Sequence, residues 1–129
     1  MTNKFEDIVA WQKAYSFVLA VYKAANVFPE HERFGLCSQF KRAAVSIPAN
    51  IAEGYKELSK ADKLRFYNIA QGSVEECRCY VHLSKDLGYV SAETYDCLCI
   101  LLEETSRLLN AYCKGVINDG YKKNCLQDY

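Results

Sequence analysis

Apolar residues return every third or fourth position in four stretches of this chain, and little interrupts them: 129 residues hold only six glycines and two prolines. A β-sandwich or barrel needs turn residues every ~8–12 positions, whereas long amphipathic helices need few. The pattern therefore commits the chain to helices. Ile8, Trp11, Tyr15, Val18, Leu19, Tyr22 and Ala25 mark the first, expected from about Asp7 to Asn26. Ala14, Phe17 and Val21 widen its apolar arc to roughly half the circumference, more than the ~100° stripe of an ordinary surface helix. Phe28-Pro29 ends it.

The second helix, expected from about Arg33 to Glu57, carries three distinct faces. Leu36, Phe40, Ala43, Ile47, Ile51, Gly54 and Leu58 form its core face. Gln39, Arg42, Ser46, Asn50, Glu53 and Glu57 fall within an arc of about 80° at ~100° per residue. Val45, Ala49 and Ala52 make a small apolar strip bracketed by Lys41 and Lys56. Pro48 lies inside the helix, where it removes an N–H bond to the Ala44 carbonyl and is expected to kink the axis.

Ser59-Lys60-Ala61-Asp62 caps a third helix that continues to about Asp86, with Phe66, Ile69, Ala70, Val74, Cys77, Tyr80, Val81 and Leu87 on its apolar face and Gly88 as its C-terminal cap. Ser91 caps the fourth, and Glu93 suits the positive end of its dipole. Tyr95, Leu98, Leu102, Thr105, Leu109, Tyr112 and Val116 then follow heptad spacing. Short turns between long helices predict an all-α, antiparallel up-down-up-down four-helix bundle with a proline-kinked second helix. One domain is expected over residues 1–118, and a frayed polar tail over 119–129.

Sixteen basic and sixteen acidic residues cancel, and neither half of the chain is strongly one-signed. A dedicated nucleic-acid binder usually carries a basic excess, so contact with RNA or DNA would need a patch concentrated by assembly. No apolar run approaches the ~20 residues of a membrane span, and no secretory leader is visible, so a cytoplasmic, membrane-free protein with reduced thiols is expected.

Cys77-Arg78-Cys79 and Cys97-Leu98-Cys99 do not read as metal sites, because on a helix residues i and i+2 point about 200° apart. Buried or half-buried thiols are expected instead, with Cys125 exposed and oxidisable. Glu75, Arg78 and His82 share a polar face and read as a solvated ion-pair network. No phosphate loop, nucleophile motif or di-iron Glu-x-x-His pattern occurs. Catalytic residues, metal and cofactor are thus all expected to be none, and most aromatics are assigned to the core.

The second helix fits least easily into a monomer, which needs one buried stripe per helix. Its spare strip, with the over-wide arc of the first helix, predicts self-association. The candidate oligomer interface is Gln39, Val45, Ser46, Pro48, Ala49, Asn50, Ala52 and Glu53. The candidate nucleic-acid contacts are Lys41 and Arg42, with Lys56, Lys60 and Lys63 at the other end of the hairpin.

Three segments also resemble a known family. They are Phe5-Glu6-Asp7-Ile8-Val9-Ala10-Trp11-Gln12-Lys13-Ala14, the Arg33-to-Gly54 region with Ser46-Ile47-Pro48-Ala49-Asn50-Ile51-Ala52-Glu53-Gly54 at its centre, and Asp86-Leu87-Gly88-Tyr89. The resemblance is to four-helix bundle proteins encoded in intervening sequences of bacterial 23S ribosomal RNA genes, also labelled S23 ribosomal protein, and extends to about residue 115. It implies a ring-shaped homopentamer without enzymatic activity, related to the basic, nucleic-acid-binding accessory protein of diversity-generating retroelements. Lys41, where a second arginine is common, and the neutral net charge depart from the nucleic-acid-binding relatives. The expectation is a non-enzymatic homo-oligomeric scaffold that docks ribosomal RNA, a ribonucleoprotein or a nucleic-acid-binding protein. A protein-binding adaptor with no nucleic-acid contact is the alternative.

Overall fold

In the computed structural model, which describes residues 4–127 and their side chains through Asp119, four helices follow the sequence pattern. They are α1 (Val9–Ala25), α2 (Leu36–Lys56), α3 (Lys60–Asp86) and α4 (Ala92–Gln127), with 3-10 turns at Phe5–Asp7 and Glu30–Glu32. The described residues contain no strand.

Local chemistry sets the boundaries. The Ser59 hydroxyl accepts the Asp62 N–H at 3.1 Å and starts α3, and Ser91 does the same for Thr94 at 3.1 Å at the start of α4. Gly88 takes φ +76°, beyond the last turn of α3. It lets the Tyr89 and Gly88 N–H groups reach back to the Ser84 and Lys85 carbonyls at 2.8 and 2.9 Å, a Schellman closure. The backbone of α2 passes through Pro48 without a break.

Cross-helix contacts run in reversed order along neighbouring helices: Phe40, Ser46 and Gly54 of α2 meet Tyr80, Ser73 and Tyr67 of α3 in turn. The Cys37 thiol reaches the Ala25 carbonyl, and Gln71 bonds Asn110 at 2.8 Å. Lys13 meets Glu104 at 3.1 Å and ties α1 to α4. Consecutive helices therefore run in opposite directions, and α1 and α4 close the bundle.

The core is one cluster. Phe17 and Val21 of α1, Phe40, Ile47 and Ile51 of α2, Tyr67, Val74 and Val81 of α3, and Leu98, Leu102 and Leu109 of α4 are almost wholly buried. The heptad spacing locates the α4 stripe well. The expected α2 face, from Leu36 to Gly54, is buried as well, whereas on α1 and α3 the buried stripe is shifted from expectation. On α1 the core takes Ala10, Ala14, Phe17, Val21 and Ala24, while Tyr15, Leu19 and Tyr22 stay outside; three alanines let neighbouring helices come close. On α3, Ile69 and Leu87 are exposed, and Tyr67, Ser73 and Ser84 are buried in addition to the expected residues. Ser84 can be buried because its hydroxyl donates to the Tyr80 carbonyl at 2.7 Å. Leu58, assigned to the core, is 99% exposed: α2 ends at Lys56, and extended backbone at Glu57 carries Leu58 into the turn.

At its far end α4 continues through Gln127, past the point where a frayed tail was expected. No proline follows Pro48 to stop the helix. Residues 128–129 of that tail and the side chain of Cys125 lie outside the described residues.

Candidate assembly face on α1 and α2

The apolar residues that the core leaves out collect on one flank. On α1 the Trp11 and Tyr15 rings stack at 5.0 Å and 21°, and Phe5 meets Trp11 edge-on at 5.2 Å. One to two turns further on come Leu19 and Tyr22, 57% and 43% exposed. On α2 the Lys41 ammonium sits 4.8 Å from the centre of the Tyr22 ring. Val45 stands one turn along α2 from Lys41, with Ala49 and Ala52 one and two turns further. Val45 and Ala49 are exposed and Ala52 is half-buried. Aromatic rings on one helix and small side chains on the other thus make an apolar surface running from Trp11 to Tyr22, about 16 Å at ~1.5 Å per residue.

The eight residues assigned to an interface separate into four groups. Val45, Ala49 and Ala52 belong to this flank. Ser46 turns toward α3, where the Ser73 hydroxyl donates to its Oγ at 2.8 Å; Asn50 bonds back along α2, its Nδ2 donating to the Ser46 carbonyl and hydroxyl at 2.8 and 2.9 Å. Gln39 and Glu53 are exposed, and Pro48 is buried. Pro48 therefore offers no open surface to a partner.

The five cations separate too. Arg42 and Lys56 are exposed, and Lys41 lies over Tyr22. Lys63 donates to the Gly54 and Tyr55 carbonyls at 3.3 and 2.7 Å. It caps the C-terminus of α2, and burial draws its pKa down against the attraction of Glu57. Lys60 donates to the Ile117 carbonyl at 3.0 Å. Position in the sequence does not show that these two lysines serve backbone carbonyls.

The remaining polar clusters have structural partners. Arg78 pairs with Glu75 at 3.1 Å and with Glu103. His82 is outside that network, its Nδ1 3.3 Å from the Tyr95 hydroxyl. Cys77 is buried and Cys79 exposed, the opposed directions that i, i+2 spacing requires. Cys97 is also exposed, against the expectation of a half-buried thiol, whereas Cys37 and Cys99 fit it. Burial pushes the Cys77 thiol up to about 12. Among the described residues no group of acidic, histidine or cysteine side chains could hold a metal, and no helix is long and apolar enough to cross a membrane.

Two contacts escape the sequence pattern. The Tyr67 ring lies against Gly54, where a side chain would collide with it. At the opposite end of the bundle, the Tyr89 hydroxyl donates to Glu32 Oε2 at 2.7 Å while Glu32 Oε1 accepts the Leu36 N–H at 3.2 Å. These bonds, Tyr89 first, hold the Glu32 carboxyl below its ordinary pKa. The motif glycines and Tyr89 were the only available signals of these links.

A four-helix, all-α bundle with an open apolar flank is the class these observations define. The chain belongs to the 23S rRNA-intervening sequence protein family, whose model matches residues 6–111. A solved structure from Bacteroides thetaiotaomicron VPI-5482, a protein of unknown function from the S23 ribosomal protein family, is similar to it with a TM-score of 0.76 and 25% identity over 82% of this chain and 96% of that one. No curated protein matches the chain.

Proposed function

We propose that this protein is a non-enzymatic scaffold that assembles with copies of itself through the α1/α2 flank. The observation that carries the reading is the uncovered apolar run of Trp11, Tyr15, Leu19 and Tyr22 on α1, joined at Tyr22 by Lys41 to the α2 helix that exposes Val45 and Ala49. Apolar patches of that extent on soluble proteins mark interaction surfaces, and stacked aromatics beside small residues suit an interface core. The polar clusters support a scaffold over an enzyme, because Arg78, Ser46 and Glu32 each serve packing or capping. A homopentameric ring is the form the family resemblance implies, with RNA or a ribonucleoprotein as its further partner.

Light scattering after size exclusion, on untagged and reduced protein, tests the assembly. The wild type should elute as a defined multiple of 14.7 kDa, and Leu19→Glu/Val45→Glu as a folded monomer. A monomeric wild type at tens of micromolar would overturn the reading and leave a protein-binding adaptor in its place.

A further inference from the structure

A closed ring needs two different surfaces on each copy, because a single self-complementary patch gives a dimer. One end of this bundle offers such a pair. Phe34, in the α1–α2 connection, is the most exposed aromatic side chain described, at 85%. It stands on a firmly bonded turn: the Glu32, Arg33 and Gly35 N–H groups bond the Pro29, Glu30 and Glu32 carbonyls at 2.9–3.1 Å, and the Glu32 carboxylate ties the turn to Leu36 and Tyr89. Arg33 lies over the Phe34 ring at 5.3 Å and pairs with Glu30 at 3.7 Å.

At the same end, between α1 and α4, lies an open groove of about 510 Å³. It exists because Ala20 and Ala24 face Leu98, leaving room that larger side chains would fill. Val27, 73% exposed, forms one apolar wall. Lys23 and Glu93 stand on its rim. The projecting turn thus carries an apolar ring flanked by Arg33 and Glu30, and the groove an apolar floor flanked by Glu93 and Lys23. Each side therefore sets one cation and one anion beside an apolar centre.

We infer that Phe34 of one copy seats in the α1/α4 groove of a second copy, a head-to-tail contact that adds to the assembly proposed above and gives it a direction. It rests on that reading. Knob and groove lie at one end of the bundle, so successive copies can stand side by side in the same orientation, the arrangement a ring requires. A turn already held by hydrogen bonds loses little freedom on docking, which favours Phe34 as an anchor.

The test uses two full-length variants, Phe34→Ala, which removes the knob, and Ala20→Phe, which fills the groove. Each should weaken self-association by about 30-fold, as loss of an interface anchor does, with thermal unfolding showing that Phe34→Ala remains folded. The decisive arm mixes them. The Phe34→Ala copy keeps an intact groove and the Ala20→Phe copy an intact knob, so together they should form a 1:1 pair tighter than either variant forms with itself. An assembled wild type with Phe34→Ala unchanged in mass overturns the knob and leaves the α1/α2 flank standing. A monomeric wild type overturns both.

Discussion

A β-carbon on Gly54 would stand 2.8 Å from Cδ1 of Tyr67 and closer still to Cε1. The Tyr67 ring is wholly buried and has little room to retreat. Gly54→Ala should therefore destabilise the fold by about 1–3 kcal/mol, the usual cost of overpacking, in chemical denaturation; an unchanged midpoint would show that the ring can shift. Glu32 gives a pH-dependent counterpart. Its pKa is lowered in the fold by the Tyr89 hydroxyl, then by the Leu36 N–H, so its contribution is present above the unfolded carboxylate value of ~4.3 and is lost as pH falls through the lower folded value. Glu32→Gln should lower the melting temperature near neutral pH, and the gap to wild type should close on acidification below about pH 4. A gap that stayed constant would remove the carboxylate from this role.

Within α2, Pro48 is buried and leaves the Ala44 carbonyl without its usual helical donor. Pro48→Ala restores that donor, so helix content by circular dichroism should hold while the solution mass or its concentration dependence changes. An assembly identical to wild type would show that the proline is dispensable to it. Helix identity was legible from spacing because amphipathic periodicity follows from backbone geometry alone. Caps were legible as well: Ser59, Gly88 and Ser91 do what their residue types favour. Which half of a wide apolar arc faces inward was not legible. On α1 either the alanine-rich stripe or the aromatic one could have been buried, and close packing against α2 and α4 chose the alanines.

For the whole molecule, charge sets the remaining question. With Lys63 and Lys60 donating to backbone carbonyls, the sequence-assigned cations left on α2 are Lys41, Arg42 and Lys56. If the assembly docks RNA through them, Lys41→Glu/Arg42→Glu should abolish an RNA mobility shift while the oligomer persists, and wild-type binding should fall steeply with added salt. RNA binding unchanged in the double variant would move the contact elsewhere. The sequence by itself determined the class, the four helices, their caps, the α4 stripe and the surplus of apolar surface, because periodicity and residue chemistry act over a few residues. Only the tertiary structure decided where that surplus goes. Contacts between distant segments leave Tyr15, Leu19 and Tyr22 outside the core, seat Lys41 on the Tyr22 ring, tie Ser46 to Ser73, bury Pro48, and bring Tyr89 to Glu32. Such contacts depend on how whole helices pack, which no local pattern encodes.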